Sequence, residues 1–266
     1  MSNYETTAPL HARGAFNAAH GTKPWLAWVA SHLPPRMTGM RVLDAGCGPG
    51  WLWDAVDADD RVDLTLLDAS DAMVRTATAR AASFDPTGVV AGIEALPDLG
   101  PPFDVVVCAH VLYHLEDPGG ALDGLRDILA RGGTLIATTI APDDLAEVNA
   151  LTREAYGHDP VAPLHERFGA PVAERLLASR FASVARHDFH DRYDIRDADL
   201  LASHILSIPP GPDLSREEAH RIRSLCAARI AGAGGTLSSD RRQVLFVARP
   251  SSAATRISAA GQPVGW

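Results

Sequence analysis

Two hydrophobic periods alternate along the chain between about residue 40 and residue 140. Short continuous apolar runs have the length of buried strands, and the segments between them repeat apolar residues at helical spacing. This pattern predicts strands over 40–44, 62–68, 88–92, 103–109 and 134–140, and helices over 50–56, 71–82 and 119–130. Strands that alternate with helices indicate an α/β fold with a parallel, doubly wound sheet and right-handed crossovers.

The rest of the chain is less regular. Helical spacing predicts helices over 143–156, 170–180, 197–207 and 215–231, and apolar alternation predicts strands over 181–193 and 242–249. The run Ile208-Pro209-Pro210-Gly211-Pro212 separates the last two helices, because proline cannot continue a helix. The tail 250–266 is rich in small residues, and we expect it to be flexible.

Composition limits the class of protein. The chain has 266 residues, of which 46% are hydrophobic, and this is enough for one substantial α/β domain with an added cap. The net charge is −9, with 24 Lys and Arg residues that form no basic cluster. Nucleic-acid substrates are therefore disfavoured, because phosphate contacts need a basic face.

Cysteine use and hydropathy suggest a compartment. Cys47, Cys108 and Cys226 are an odd number, lie far apart and lack metal-binding spacing, which fits a reducing environment. No apolar run is long enough to span a membrane, and the N-terminus lacks a signal-peptide pattern. We therefore expect a cytoplasmic protein with no membrane partner and no metal.

The first predicted strand runs into the glycine-rich turn Asp44-Ala45-Gly46-Cys47-Gly48-Pro49-Gly50. Such a turn lets the backbone pass close to a nucleotide-like ligand, because glycine has no Cβ. Trp51 stands where a dinucleotide fingerprint needs its third glycine, and the lysine of a phosphate-binding P-loop is absent. The turn therefore matches neither of those two motifs.

This Asp-x-Gly-x-Gly-x-Gly turn resembles the first motif of the class I S-adenosylmethionine-dependent methyltransferases. The resemblance runs from about residue 10 to residue 249, and its recognisable motifs lie within 41–140. It implies a Rossmann-like seven-stranded sheet, with the antiparallel seventh strand between the fifth and the sixth. It also implies that the turn passes under the methionine end of the cofactor, S-adenosylmethionine.

Under this resemblance the chain divides into three parts. Residues 1–35 are a helical lid segment, 36–249 the cofactor-binding domain and 250–266 the tail. Within the domain, 141–170 and 194–235 exceed a minimal core. Inserted segments of that size beside a cofactor site commonly form a substrate lid.

Asp68 ends the second predicted strand, 22 residues after Gly46. A carboxylate at that edge can accept hydrogen bonds from both ribose hydroxyls. The run from Leu67 to Met73 resembles the second motif of the family, in which Ala69 and Met73 would line the adenosine pocket. The predicted cofactor-binding set is Asp44, Gly46, Cys47, Gly48, Gly50, Trp51, Asp68, Ala69, Met73, Gly92, Ile93, Glu94 and His110.

One position departs from the family pattern. Gly92 stands where the family usually has an acid that faces the adenine amino group. The backbone at Ile93 or the side chain of Glu94 then has to serve, and Ile93 is expected to pack on the adenine ring.

The run from Cys108 to Pro118 follows the fourth predicted strand and resembles the fourth motif, with His110 in place of the usual Asn or Ser. Ligands bind at the carboxyl edge of a parallel sheet. His110, Tyr113 and His114 are therefore candidate catalytic residues, as a general base or to orient the nucleophile. The alternative for His114 is a hydrogen bond to a backbone carbonyl that shapes the loop.

Other aromatic and histidine residues have two interpretations. Trp25 and Trp28 share a helix face, which packs either on the core or on a ligand, and Trp51 is equally ambiguous. The run from His187 to Asp191 suggests a metal, but alternate residues of a strand face opposite ways, so no metal site is expected. Further candidates for substrate contact are His165, Arg167, Phe168, Tyr193 and His204.

The predicted reaction is SN2-like methyl transfer from S-adenosylmethionine to an oxygen or nitrogen atom of a small molecule, with a secondary metabolite as one candidate acceptor. S-adenosylhomocysteine is the product. Two alternatives stay open: a cyclisation or rearrangement in the same fold, and a non-catalytic protein that binds the cofactor or a partner. A protein or RNA acceptor would need an open basic groove. The sequence leaves the oligomeric state open between monomer and homodimer.

Overall fold

A seven-stranded mixed sheet forms the centre of the computed structural model, which describes residues 8–57 and 61–251. The strand order is β3-β2-β1-β4-β5-β7-β6, and β7 runs antiparallel to both of its neighbours. This confirms the predicted fold class. The strands are β1 Arg41–Ala45, β2 Asp63–Asp68, β3 Thr87–Val90, β4 Phe103–Ala109, β5 Leu129–Ile140, β6 Ser183–Ile195 and β7 Leu237–Arg249.

Nine α-helices lie within the described residues. They are α1 Ala8–His20, α2 Trp25–Ala30, α3 Asp71–Arg80, α4 Pro118–Asp127, α5 Ala146–Tyr156, α6 Ala162–Phe168, α7 Ala170–Ala178, α8 Ala198–Leu206 and α9 Arg216–Gly232. The predicted helix at 71–82 is confirmed as α3, and the Ser70 hydroxyl caps it by accepting from Met73 N at 3.4 Å. Helix α6 was not predicted. Residues 1–7 and most of the predicted tail, 252–266, lie outside the described residues.

The segment predicted as a helix over 50–56 forms the 3-10 helix Trp51–Ala55. One predicted boundary in the first half was wrong. Strand β5 begins at Leu129, five residues before the predicted start, so the run Arg131-Gly132-Gly133 between the predicted helix and the predicted strand lies inside β5. The pairing with β4 shifts between Phe103 and Val105, and this bulge absorbs the extra residues.

Strands β6 and β7 pair along 13 residues each, and the prediction for β7 included only residues 242–249. Its missed beginning, Leu237-Ser238-Ser239-Asp240-Arg241, is mostly polar and lies beyond the part of β7 that pairs with β5. Apolar periodicity cannot find such a segment, which is a strand because β6 extends beside it.

Three hydrophobic clusters organise the packing. Successive β1 residues belong to different clusters, Val42 to one and Leu43 to the other, as expected of a strand covered on both faces. The third cluster joins α1, α5, α8 and α9 with β6 and the start of β7. Phe16 of α1 is fully buried in this third cluster, so the N-terminal helix packs against elements from the second half of the chain.

The described helices were also compared with the length and hydropathy that a membrane span needs. None of them is long and apolar enough to cross a bilayer.

Candidate functional site

The glycine-rich turn is fastened to the end of β2 by three backbone donors. Gly46 N and Cys47 N donate to the Leu67 carbonyl at 2.7 and 3.0 Å, and Gly48 N donates to Asp68 Oδ2 at 3.0 Å. Gly46 has φ +77°, and a Cβ there would lie 2.4 Å from the side chain of Val111. Only glycine fits this position without displacing its neighbour.

Asp68 is held from both sides. Its Oδ1 accepts from Ser70 N at 2.8 Å while its Oδ2 accepts from Gly48 N. Each carboxylate oxygen can accept a second hydrogen bond, so the side chain is fixed and keeps acceptor capacity. A Cβ at Gly48 or at Gly92 would meet nothing within 4 Å, which means that both glycines border open space.

Asp44 lies at the end of β1 and is 2% exposed. Its Oδ2 accepts from Trp53 Nε1 at 2.9 Å, while its Oδ1 has no described partner. Burial raises the pKa of Asp44 to about 7, although the Trp53 hydrogen bond opposes the shift. An unpaired carboxylate oxygen beside the glycine turn fits a cationic group of a bound ligand, such as an amino group.

A cavity of about 1750 Å³ extends from this edge of the sheet to the N-terminal helices and α8. It contains twelve of the thirteen predicted cofactor residues: Asp44, Gly46, Cys47, Gly48, Trp51, Asp68, Ala69, Met73, Gly92, Ile93, Glu94 and His110. Gly50 is absent from its wall. The Cβ of a residue at 50 would lie 2.9 Å from the backbone of Ala77, so Gly50 permits close packing on α3.

The side of the cavity expected to hold adenine is shaped by Ile93 and Glu94. Ile93 is 5% exposed, and Glu94 Oε1 accepts from the backbone of Glu116 at 2.9 Å and of Asp117 at 3.1 Å. Glu94 therefore ties the loop after β3 to the loop before α4. Met73 is 1% exposed and lines the cavity, as predicted for this residue, while it packs within α3.

His110 follows β4 in a left-handed conformation, with φ +55°. Its Nε2 lies 3.2 Å from the amide of Gln243. Both ends of that amide find partners when the oxygen faces Arg241, which donates to it through Nε at 2.8 Å and through Nη2. The amide NH2 then donates to His110 Nε2, and Arg241 also pairs with Asp144 at 3.3 Å. The chain Asp144–Arg241–Gln243–His110 fixes an imidazole that carries its proton on Nδ1.

Both candidate catalytic histidines are neutral near pH 7. Burial lowers the pKa of His110 to about 3, and the nearby Arg241 guanidinium adds to the shift. Burial lowers the pKa of His114 to about 4, assisted by Arg13 and Arg167. Such an imidazole is a weak base, and it takes a proton from a phenol of pKa about 10 only at a large cost.

The N-terminal helices cover the cavity with aromatic rings. Trp25 lies 5.3 Å from His110 and 5.0 Å from Phe189 between ring centroids, and it lines the cavity. Trp28 stacks on Trp25 at 5.2 Å and packs against the hydrophobic core. Trp51 lines the cavity beside His11, whose ring is 5.8 Å away.

Among the predicted substrate-contact residues, Tyr193 and His204 line the cavity, whereas His165, Arg167 and Phe168 do not. Phe168 is fully buried in the core between the sheet and α7. Several polar residues of the cavity wall are not in the predicted site sets, among them Arg13, Asn17, Asp144, Asn149, Arg241 and Gln243. No local motif marks them, because α1, α5 and β7 meet only in the folded chain.

The strand from His187 to Asp191 shows the expected alternation. His187, Phe189 and Asp191 are the less exposed positions, and Asp191 accepts from Thr22 N at 2.8 Å and Lys23 N at 3.1 Å. Asp191 therefore pins the loop between α1 and α2. Over residues 8–57 and 61–251, no group of three or more His, Cys, Asp or Glu side chains is arranged to hold a metal ion.

A glycine turn bonded to an acid at the end of β2, inside a sheet with an antiparallel β7, defines the class I methyltransferase architecture. A family model described as a methyltransferase domain matches residues 18–195, and the chain belongs to this family of S-adenosylmethionine-dependent methyltransferases. Its cofactor is S-adenosylmethionine, which fits the open space at Gly48 and the unpaired Oδ1 of Asp44.

The curated relatives are named for different acceptor molecules. The chain is 31% identical over 142 residues to a ubiquinone biosynthesis O-methyltransferase of Xylella fastidiosa, which is 50% of each chain. It is 33% identical over 244 residues to a tRNA U34 carboxymethyltransferase of Idiomarina loihiensis, covering 84% of this chain and 72% of that relative. The chain spans about half the length of the ubiquinone relative.

Solved structures share the fold at low identity. The YcgJ protein of Bacillus subtilis superposes with a TM-score of 0.58 and 18% identity, over 85% of this chain and 98% of that one. This likeness describes the sheet and its helices only.

The fixed tautomer of His110 can be measured directly. We expect nitrogen-15 NMR to show the His110 proton on Nδ1 and a neutral ring from pH 5 to pH 8, because the pKa lies near 3. Gln243→Glu replaces the amide donor with a carboxylate acceptor, so the proton should move to Nε2 and the pKa should rise. The His110→Gln variant assigns the resonance. A proton on Nε2 in the wild-type protein would contradict the hydrogen-bond chain.

Proposed function

We propose that this chain transfers a methyl group from S-adenosylmethionine to an oxygen or nitrogen atom of a small molecule. The observation that carries the proposal is the single cavity of about 1750 Å³, which continues from the glycine turn past His110 to the wall formed by α1, β7 and α8. One continuous space can therefore hold both cofactor and acceptor, which methyl transfer requires.

The cofactor half of the cavity is assigned to named groups. Asp68 binds the two ribose hydroxyls through the acceptor capacity that its backbone partners leave free. Asp44 Oδ1 accepts from the amino group of the methionine end, and Ile93 packs on the adenine. When bound, the sulfonium supplies an electrophilic methyl carbon and a neutral thioether leaving group.

Catalysis in this proposal relies on positioning instead of proton abstraction. His110 and His114 are weak bases in this environment, so they orient the acceptor by hydrogen bonds as neutral rings. His110 has Nδ1–H available, because Gln243 occupies its Nε2. Holding the nucleophile in line with the methyl carbon supplies most of the rate enhancement, and Tyr113 adds to the same wall.

A polynucleotide acceptor is the competing function, because two relatives are named for tRNA. The net charge of −9 opposes it, since tRNA binding draws on many phosphate contacts by basic side chains. The covering of the cavity by α1 and α2 also favours a small acceptor over a polymer.

Labelled cofactor tests the activity. Wild-type protein incubated with methyl-labelled S-adenosylmethionine and fractionated extract of the source cells is expected to label the small-molecule fraction and to leave tRNA and protein unlabelled. Label in tRNA would contradict the small-molecule acceptor. Tight cofactor binding with no label in any fraction would instead support a cyclisation, a rearrangement or a non-catalytic role.

The cofactor assignment has a matched pair of variants. Asp68→Asn removes the negative charge that accepts the ribose hydroxyls, and we expect the Kd for S-adenosylmethionine to rise about tenfold or more in calorimetry. Asp71→Asn makes the same chemical change three residues away, at an exposed side chain that pairs with Arg75. It should leave the Kd unchanged. Equal Kd values for both variants would overturn the ribose assignment.

A further inference from the structure

The part of the cavity wall where α1, α8 and β7 meet the segments after β4 and β5 carries an unequal number of charges. We call this region the acceptor end and define it by Arg13, Asn17, His110, Asp144, His204 and Arg241, all of which line the cavity. It contains two guanidinium groups and one carboxylate. Asp144 and the two arginines differ in the partners that the protein provides for them.

Asp144 is committed to its own neighbours. Its Oδ2 lies 3.3 Å from Arg241 Nη1, and its Oδ1 accepts from the backbone of Arg242 at 2.6 Å. Both side chains of the ion pair are largely buried, 8% exposed for Asp144 and 14% for Arg241. The pair is therefore close to neutral as a unit, and Asp144 has little capacity left for a third cation.

Arg13 is bound differently. Its Nη1 donates to the carbonyl oxygen of Ser207 at 3.1 Å. Within residues 8–57 and 61–251, Arg13 forms no salt bridge with a carboxylate. Its positive charge therefore interacts with the dipole of a carbonyl group and not with an anion. Its field reaches His114 and His204 and, after burial, helps to lower the pKa of both.

The other charged groups that line the cavity lie outside the acceptor end. Asp44, Asp68 and Glu94 belong to the cofactor half in the proposed function. Asp54 pairs with Arg80 at 2.6 Å, and Lys23 is exposed, so that solvent screens its charge. The acceptor end therefore keeps one unit of positive charge, and the sulfonium of the cofactor would add another.

We propose that the acceptor is a planar organic anion, that its ionised oxygen is the nucleophile, and that Arg13 is the residue that selects its charge. This rests on the proposed methyl transfer and names its substrate class. The rings of Trp25, Phe189 and Tyr193 supply the apolar wall for a planar body. An ammonium compound would face two cations and no available carboxylate.

The chemistry balances without a base. The anionic oxygen attacks the methyl carbon, a C–O bond forms, and the C–S bond breaks with its electron pair remaining on sulfur. An anion and a sulfonium thus become a neutral ester or ether and a neutral thioether, and no proton has to leave. This accounts for a site whose imidazoles are poor proton acceptors.

Three naphthalene probes of one shape test the charge preference. Protein saturated with S-adenosylhomocysteine is titrated in a calorimeter with 2-naphthoate, 2-naphthalenemethanol and 2-naphthylmethylammonium, which carry −1, 0 and +1. We expect 2-naphthoate to bind about tenfold more tightly than the alcohol, and the ammonium compound to bind most weakly.

Variants of Arg13 assign the preference to one residue. Arg13→Gln should weaken the binding of 2-naphthoate about tenfold and leave the affinity for the alcohol unchanged. Arg13→Lys should retain most of the preference for the anion. Arg75→Gln removes one positive charge from the exposed face of α3 and should change neither affinity. The Kd for S-adenosylhomocysteine should be the same in all four proteins.

Two results of the naphthalene titrations would overturn the proposal. One is a 2-naphthoate affinity in the wild-type protein no higher than that of the alcohol, including no measurable binding of either. The other is a preference for 2-naphthoate that survives Arg13→Gln. Labelled methyl transfer to a neutral or amine acceptor would refute the anionic acceptor and leave the proposed methyl transfer intact. Failure to bind S-adenosylhomocysteine would refute both.

Discussion

The attachment of the glycine turn to the end of β2 is the constraint on which the site depends. Gly46 N, Cys47 N and Gly48 N donate to the Leu67 carbonyl and the Asp68 carboxylate, so the turn and the acid form one unit. The unit leaves open space at Gly48 and an unpaired carboxylate oxygen at Asp44. No described residue fills the space at Gly48 or hydrogen bonds to Asp44 Oδ1, so both remain available to a ligand.

The remainder of the cavity is built by residues distant in sequence. Arg13 bonds to Ser207, 194 positions away, and His110 lies against Gln243, 133 positions away. The first contact forms because Phe16 and the inner face of α1 pack into the cluster of α5, α8 and α9, and the second because β7 pairs with β5 beside β4. Burial removes the basicity of His110, and Arg13 lines the cavity. The cofactor half is thus local in sequence, and the acceptor half is not.

This difference explains what could be predicted. Asp68 and the glycine turn follow from short motifs, and the structure joins them by a hydrogen bond from Gly48 N to Asp68 Oδ2. The start of β5 could not be predicted, because Gly132 and Gly133 look the same in a helix cap and in a strand bulge. Arg13, Arg241 and Gln243 could not be predicted either, since their role depends on which elements pack together. Gly50, a predicted cofactor residue, lies against Ala77 of α3, a contact that the motif does not reveal.

A crystal structure with S-adenosylhomocysteine bound tests the central claim most directly. The account predicts both ribose hydroxyls within hydrogen-bond distance of the Asp68 carboxylate, the amino group beside Asp44 Oδ1, and the sulfur facing the part of the cavity that His110 and Arg13 line. A ribose that lies away from Asp68, or a sulfur that faces away from His110, would contradict it.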